Sequence, residues 1–148
     1  YRVFVDYAHT PDALVSGLET LRGLEPRNII TVFGCGGDRD VLKRPLMAQA
    51  AENGGDYCVL TSDNPRTENP EVILEDARKG FRGSEYEVIA DRAVAIAKAI
   101  DLAGERDIVL IAGKGHETYQ EINGVRHDFD DRRVAAGCIN RKAERGSQ

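Results

Sequence analysis

The sequence predicts an α/β fold, with a mostly parallel sheet covered by helices on both faces and a β-hairpin near the carboxyl terminus. Short apolar runs alternate with segments whose apolar residues recur at helical spacing, which is typical of strand–helix–strand units. The run at 108–111 is wholly apolar, as expected of a strand covered on both faces. Asn123-Gly124 lies between two short segments of strand-like sequence, a strong signal for a hairpin turn.

Five strands are predicted in the sheet, and each is short and apolar. They lie at 3–5, 29–33, 57–60, 87–89 and 108–111, and the two hairpin strands at 119–122 and 125–129. The first strand begins almost at the first residue. We therefore expect the chain to be a fragment of a longer protein.

Helices are predicted between the strands. Thr10 can cap the first, with Pro11 in its first turn. The second follows Lys43-Arg44-Pro45 and ends at 53–55, and the third begins near Pro70. The apolar residues at helical spacing are Leu14, Leu18 and Leu21 in the first helix, Leu46, Met47, Ala50 and Ala51 in the second, and Ile73, Ala77 and Phe81 in the third.

Two further helices complete the prediction. Asp91 can cap a helix whose inward residues are Ala93, Ile96, Ala97 and Ile100. Asp130 or Asp131 can cap a last helix, and the polar tail from Lys142 is expected to fray. The last helix carries Val134, Ala135, Cys138 and Ile139.

Composition narrows the possible function classes. A length of 148 residues suits a single domain, 1–148, with a core of its own. The net charge of −5 argues against a protein that coats nucleic acid or a membrane surface, and no apolar run approaches a membrane span. The three widely spaced cysteines fit neither a disulfide framework nor a zinc site, so we expect a cytoplasmic protein and no bound metal.

The loops that follow the strands concentrate the unusual residues. They lie at 6–12, 34–40, 62–66 and 112–117 and hold many Asp, Arg, Lys and Gly, with two of the three histidines. The loops that precede the strands read as generic turns. Because parallel strands end at a common edge, the four loops should meet there, where open α/β sheets bind ligands.

Asp63-Asn64-Pro65-Arg66 places a carboxylate, an amide and a guanidinium within four residues. Pro65 restricts Asn64 and stiffens this loop, so Asp63 could hold an ammonium while Arg66 holds a carboxylate. A ligand with both groups on one carbon is an amino acid. The alternative is an ordinary Asn-Pro turn in which Asp63 bonds locally and Arg66 is a solvated surface charge.

Two other loops leave alternatives open. Asp6 and His9 either contact a ligand or form a structural hydrogen-bonded pair. Arg39 either contacts a ligand or pairs with Asp38 or Asp40 in a surface ion pair of about 0–1 kcal/mol.

The last strand-to-helix loop contains Lys114 and His116 among glycines, which favours an anionic ligand, and the alternative is a plain turn. Glu117 either belongs to the site or is an acidic residue in the first turn of a helix. His127 lies in the hairpin, away from these loops, and is expected to be structural.

Four motifs in this order and spacing resemble those of the Mur ligases. They are 6–11 (Asp-Tyr-Ala-His-Thr-Pro), 36–40 with 43–45, 63–66, and 113–117 (Gly-Lys-Gly-His-Glu). Over nearly its whole length the chain resembles their C-terminal domain, and 63–66 resembles the signature of members that add meso-diaminopimelate. The resemblance implies a Rossmann-like sheet, with an N-terminal UDP-sugar domain and a central ATPase domain absent from this chain.

The resemblance also implies an activity. Such ligases use ATP to activate the terminal carboxylate of UDP-MurNAc-L-Ala-D-Glu, and the amine of meso-diaminopimelate then forms the amide during peptidoglycan biosynthesis. ATP and Mg²⁺ would be bound mainly by the missing central domain. This domain would contain no catalytic residue, and alone it would be inactive.

By the same resemblance, one group of residues holds meso-diaminopimelate. Arg39 and Arg66 would bind the carboxylate of its non-reacting end. Glu117 and the backbone of Gly113 would bind the ammonium of that end. Asp6 and His9 would face ATP. The full diaminopimelate set is Arg39, Asp63, Asn64, Pro65, Arg66, Gly113 and Glu117.

Other functions stay open at this point. One is the same domain in a related ligase, such as cyanophycin synthetase or folylpolyglutamate synthase, which the 63–66 and 113–117 motifs disfavour. Another is a binding module for nucleotides or amino acids without catalysis, which the start inside a strand disfavours. A dinucleotide oxidoreductase is weak because no Gly-x-Gly-x-x-Gly follows the first strand.

Overall fold

A computed structural model describes residues 1–146 of the chain. These residues form seven strands and five helices. The strands are β1 (Arg2–Asp6), β2 (Ile29–Cys35), β3 (Tyr57–Ser62), β4 (Tyr86–Val88), β5 (Ile108–Ala112), β6 (Tyr119–Ile122) and β7 (Val125–Asp128). The helices are α1 (Pro11–Arg22), α2 (Lys43–Gly54), α3 (Pro70–Arg78), α4 (Arg92–Leu102) and α5 (Asp131–Gly146).

Five strands form one parallel sheet in the order β1-β5-β2-β3-β4, as the alternating pattern predicts. β5 lies between β1 and β2, with Val109 opposite Val3 on one side and opposite Ile30 on the other. The chain runs outward from β2 to β4 and returns through α4 to β5. All five strands therefore end at one edge, which we call the carboxyl edge.

Helices cover both faces of the sheet, because alternate strand residues point to opposite sides. On one face Phe33 and Leu60 pack with α1, α2 and α3, and on the other Val32 and Val59 pack with α4 and α5. The wholly apolar β5 supplies both cores, Leu110 to the first and Ile111 to the second. This double burial explains why its sequence lacks a polar face.

The predicted caps begin their helices. The side chain of Thr10 accepts a hydrogen bond from Ala13 N–H, and that of Asp91 accepts one from Val94 N–H. Asn69 caps α3 in the same way, directly before Pro70. At the hairpin, Asn123 and Gly124 both have positive φ, as a type I′ turn requires.

Two details of the helices were predicted incorrectly. In α4 the fully buried alanines are Ala95 and Ala99; Ala97 is partly buried against the core, as predicted, whereas Ala93 lies at the margin of the buried face. Alanine gives little periodic signal, so the two isoleucines alone left the phase of the helix ambiguous. Phe81 follows the end of α3 and stacks on Tyr86, with ring centroids 4.0 Å apart.

The tail is not frayed where the structure describes it. α5 continues to Gly146, and the Lys142 ammonium donates hydrogen bonds to the carbonyls of Ile100 and Ala103 at the end of α4. Positive charge at the carboxyl end of a helix is favourable, and this contact anchors the segment. Residues 147–148 lie outside the described part of the chain.

None of the five helices within residues 1–146 combines the length and the apolar character that crossing a lipid bilayer requires.

Candidate functional site

A cavity of about 320 Å³ opens at the carboxyl edge of the sheet. All four loops predicted to meet there contribute to its lining, so the expected juxtaposition is confirmed. Two predicted residues, Asp6 and Pro65, lie outside the lining. The predicted residues that do line it are His9, Arg39, Asp63, Asn64, Arg66, Gly113 and Glu117.

Close contact between two loops shapes one wall of the cavity. Gly37 N–H donates to the Asn64 carbonyl over 2.8 Å, and a β-carbon on Gly37 would lie 1.8 Å from the Pro65 carbonyl oxygen. Only glycine permits this approach. Gly113 is restricted in a similar way, because its φ is +115° and an added β-carbon would lie 2.7 Å from Asp63 Oδ2.

The 63–66 loop is not an ordinary turn. Asp63 and Asn64 are buried, and Arg66 adopts φ +53°, a left-handed conformation that costs a non-glycine residue about 1–2 kcal/mol. Hydrogen bonds from the β6–β7 hairpin hold this conformation: Arg66 N–H donates to the Glu121 carbonyl, and Asn123 N–H donates to the Arg66 carbonyl. The surrounding structure therefore fixes an unfavourable backbone at this point.

The hairpin was not predicted to take part in the site. Its strand β6 contacts three residues of the 63–66 loop, because Gln120 Nε2 donates to the Asp63 carbonyl over 2.7 Å and Glu121 N–H donates to Asn64 Oδ1 over 2.9 Å. Glu121 also places its carboxylate 3.8 Å from Arg66 Nε. The hairpin signal at Asn123-Gly124 was visible in the sequence, but nothing local indicated where the hairpin would dock.

Arg39 and Arg66 both reach the cavity with unused donor capacity. Arg39 is exposed and donates to the Asp38 carbonyl, so the predicted alternative of an ion pair with Asp38 or Asp40 is wrong. The Asp38 carboxylate accepts hydrogen bonds from Thr67 instead. Arg66 donates one hydrogen bond to the Gly37 carbonyl and lies only loosely against Glu121.

Lys114 does not present a free charge to an anionic ligand, and that prediction is wrong. Its side chain is fully buried, and its ammonium donates to Asn64 Oδ1 over 2.9 Å and lies 3.4 Å from Glu117 Oε1. The Asp63 carboxylate is 3.9 Å away. No helix follows Glu117 directly within residues 1–146, so its interpretation as a first-turn acid is also wrong. Lys114 thus joins the 63–66 loop to the 112–117 loop.

A buried ion pair that the sequence did not reveal holds the 63–66 loop and the 112–117 loop where they leave β3 and β5. Arg92 and Asp131 are fully buried side chains whose guanidinium and carboxylate atoms approach to 2.7 Å. Arg92 also donates to the carbonyls of Ser62 and Ala112, the last residues of β3 and β5. Burial opposes the charge of Arg92, but the hydrogen bonds and charge of Asp131 outweigh this and raise its pKa.

A second buried arginine supports the neighbouring wall. Arg44 donates to Glu68 over 2.8 Å, to Asp76 over 3.0 Å and to the Gly36 carbonyl. Burial lowers the pKa of Arg44, but these two carboxylates raise it by more. Because Arg44 is a charged residue beside Lys43, sequence reasoning gave no sign that its side chain would be buried.

Asp6 and His9 do not form the hydrogen-bonded pair that was the alternative to a ligand role. Asp6 Oδ2 accepts from Ala8 N–H, and His9 Nδ1 lies 3.0 Å from the Tyr7 carbonyl oxygen. Tyr7 and His9 line the cavity, and the exposed rings of His9 and His116 have centroids 4.7 Å and 6.1 Å from that of Tyr7. His127 is exposed on the hairpin, and its structural role stays a prediction.

The cysteines are buried as free thiols. Burial, followed by the charge of Asp63, raises the pKa of Cys35 to about 12, and burial likewise raises that of Cys58 to about 12. Although Cys35 lies at the cavity wall, its thiol stays protonated at neutral pH. We assign it no chemistry.

The arrangement suits a small zwitterion. Arg39 of the 34–40 loop and Arg66 of the 63–66 loop bring guanidinium groups to the cavity. Asp63 and Glu117 bring carboxylates to the same cavity, and Gly113 lines it beside them. No group of three or more His, Cys, Asp or Glu side chains suited to a metal ion occurs within residues 1–146.

Comparisons with known proteins agree with the geometry. A family profile described as "Mur ligase, glutamate ligase domain" matches residues 1–115. A protein of Oceanobacillus iheyensis named UDP-N-acetylmuramoyl-L-alanyl-D-glutamate--2,6-diaminopimelate ligase is 56% identical over 146 residues, covering 97% of this chain and 30% of that protein. A protein of the same name from Clostridioides difficile is 52% identical, with 94% and 29% covered.

This chain also resembles a solved structure, that of a UDP-N-acetylmuramoyl-L-alanyl-D-glutamate--2,6-diaminopimelate ligase. The two sequences are 52% identical. The structures superpose with a TM-score of 0.92, over 96% of this chain and 30% of the other. The chain spans about three tenths of the length of these relatives. The fold prediction, including the carboxyl-terminal hairpin, is confirmed.

Proposed function

This chain belongs to the Mur ligase family, and we propose that it is the amino-acid-recognition domain of a ligase that joins meso-diaminopimelate to UDP-MurNAc-L-Ala-D-Glu with ATP. The proposed reaction forms an amide in peptidoglycan biosynthesis. The N-terminal UDP-sugar domain and the central ATPase domain would be supplied by the rest of a longer protein. The buried free thiols suit a reducing cytoplasm as its location.

The observation that supports this proposal best is the common cavity of two arginines and two acids. Arg39 and Arg66 line it together with Asp63 and Glu117, although these residues come from three separate loops of the chain. Relatives over half identical to this chain bear the name of a diaminopimelate ligase. Charge pattern and relatedness thus favour the same substrate.

Each residue has a proposed task at the non-reacting end of diaminopimelate. Arg39 and Arg66 bind its carboxylate, Glu117 and the backbone of Gly113 bind its ammonium, and Asp63 adds negative charge beside that ammonium. Two further residues of the 63–66 loop complete the set: Asn64, which contributes an amide, and Pro65, which stiffens the loop. The amine at the other end is left to attack.

Selectivity against lysine follows from the same contacts. Lysine lacks the distal carboxylate, so binding it would remove water from two guanidinium groups without replacing their partner. A stranded charge of this kind costs about 3–5 kcal/mol, which corresponds to roughly hundreds- to thousands-fold in kcat/KM. The cavity would therefore reject lysine even though the attacking amine is similar.

ATP and Mg²⁺ enter this proposal through the longer protein. His9 lines the cavity and Asp6 belongs to the same loop, and both would face ATP bound by the central domain. Magnesium would neutralise phosphate charge there. We assign the lining residues of this chain to holding the amino acid.

The test is kinetic and uses the full-length protein that contains this chain. We expect ATP-dependent amide formation with meso-diaminopimelate and a kcat/KM at least about 100-fold lower with lysine. Equal use of both amino acids would contradict the proposed recognition. The 148-residue chain alone should form no amide, and measurable amide formation by it would contradict the assignment of catalysis to other domains.

A further inference from the structure

The buried ammonium of Lys114 contacts three of the residues proposed to bind the amino acid. It donates to Asn64 Oδ1 over 2.9 Å, and the carboxylates of Glu117 and Asp63 lie 3.4 Å and 3.9 Å away. Lys114 itself does not line the cavity and has no exposed surface. It can therefore act on a ligand only through these neighbours.

Of these three contacts, the hydrogen bond from Lys114 to Asn64 has the most specific consequence. Its Oδ1 accepts two hydrogen bonds, one from Lys114 Nζ and one from Glu121 N–H, each of 2.9 Å. Both partners are donors without any acceptor function, so the amide oxygen must face them. The Asn64 Nδ2 group, which has no hydrogen-bond partner among residues 1–146, is left for a ligand.

We propose that Lys114 is a positioning residue that locks the Asn64 amide so that it presents a donor to the carboxylate of the bound amino acid. This inference rests on the proposed function, because it assigns the ligand's carboxylate to this side of the cavity. Lys114 also offsets part of the negative charge of Asp63 and Glu117, so these acids bind one ammonium without repelling the adjacent carboxylate.

Without Lys114 the amide can rotate by half a turn. Glu121 N–H alone would hold the oxygen, and the alternative orientation would turn Oδ1 toward the ligand's carboxylate. Both the lost donor and the new repulsion weaken amino-acid binding. Binding of ATP and of the nucleotide-sugar substrate should not change, since neither is assigned to this amide.

The first experiment compares Lys114→Met with wild type in the full-length protein, using whichever amino acid wild type joins with the highest kcat/KM. We expect the KM for that amino acid to rise by about 10- to 100-fold, with kcat and the KM for ATP nearly unchanged. Lys142→Met is the matched control, because that ammonium also binds carbonyl oxygens but at the carboxyl end of α4, away from the cavity. An equal rise in all KM values would overturn the proposal.

A double-mutant cycle separates positioning from general destabilisation. In an Asn64→Ala background, Lys114→Met should raise the amino-acid KM by less than about threefold, because the amide it orients is gone. If the two changes multiply independently, Lys114 acts by another route and the proposal fails.

A third variant keeps the proposal testable even if Lys114→Met does not fold. Asn64→Asp retains an oxygen for Lys114 but replaces the presented donor by a carboxylate oxygen. We expect it to raise the amino-acid KM more than Asn64→Ala does, because two carboxylates would then face each other. A smaller rise than with alanine would mean that Asn64 faces the ammonium, which would overturn the proposal. Absence of activity in wild type would instead count against the proposed function, so the two failures are distinguishable.

Discussion

Two pairs of arginines lie at the carboxyl edge of the sheet, and they differ in the groups that neutralise their positive charge. Arg44 and Arg92 are buried against protein carboxylates, whereas Arg39 and Arg66 bond mainly to backbone carbonyls. Arg39, Arg66 and Arg44 line the cavity, but the charge of Arg44 is already matched by Glu68 and Asp76. The first pair ties loops to helices, because each of its guanidiniums also bonds to a strand or loop carbonyl. The second pair keeps its charge available for a ligand.

The difference shows how one residue type can serve support and recognition at the same edge of one sheet. A buried guanidinium that is paired with a carboxylate cannot lose this partner without leaving its own charge stranded, so the pair fixes the structure. A guanidinium held by neutral carbonyls can still accept a carboxylate partner from a ligand. Substitutions in the two pairs should therefore differ in whether they change stability or substrate use.

The largest effect is expected for Arg92→Met. It leaves Asp131 buried without its partner, and removing one member of a buried pair costs about 3–5 kcal/mol in the free energy of unfolding. Urea denaturation would measure this loss. Arg132→Met is the control, since its ion pair with Asp130 is exposed and its removal should leave the denaturation midpoint unchanged. Equal midpoints for wild type and Arg92→Met would show that the pair does not hold the edge together.

The fold could be predicted in outline because its signals are local. The apolar run at 108–111, the cap at Thr10 and the turn at Asn123-Gly124 each follow from the conformational preferences of a few adjacent residues. Errors arose where the signal was weak, as in the alanine-rich α4. The edge at which the loops meet was predictable, since parallel strands share a direction.

The supports of the site could not be predicted in the same way. Arg92 and Asp131 are 39 positions apart, and neither stands in a motif or an apolar pattern that would indicate burial. Lys114 belonged to a recognised motif but was assigned to a ligand, because sequence does not reveal that Asn64 and Glu117 would enclose its ammonium. Long-range polar pairing depends on tertiary packing, which local preferences do not encode.

Arg66→Ala is expected to have a smaller effect than Arg92→Met. We expect it to change catalysis and not stability. Under the proposed function, loss of the guanidinium in the full-length protein should lower kcat/KM for meso-diaminopimelate by about 100- to 1,000-fold and leave the KM for ATP nearly unchanged. Arg39→Ala should act in the same direction but by about 10-fold, since Arg39 is exposed and its contacts are more screened. Arg126→Ala is the control, because that exposed hairpin arginine does not line the cavity. Equal losses for both substrates would place Arg66 with the supporting pair.

The smallest effect concerns Glu68, a partner of the buried Arg44. Hydrogen bonds from Arg44, and then from Asp38 N–H, lower the pKa of Glu68 below its ordinary value of 4.5. The folded state therefore binds this proton less tightly than the unfolded state, so its contribution is complete above that value and is lost as pH falls through the lowered pKa. Glu68→Gln should reduce the free energy of unfolding by less than about 1 kcal/mol at neutral pH, and the difference should vanish in acid.

Denaturation of both proteins across the acid range would measure that convergence, with Glu105→Gln as a control at an exposed position. A difference that stays constant with pH would mean that Glu68 supports Arg44 through packing and not through its charge. Since Asp76 would still hold the guanidinium at 3.0 Å, Arg44 should remain in place and amino-acid use should be unaffected. A loss of amino-acid use in Glu68→Gln would show instead that the supporting and recognising arginines are coupled, because Arg44 also bonds to the loop from which Arg39 extends.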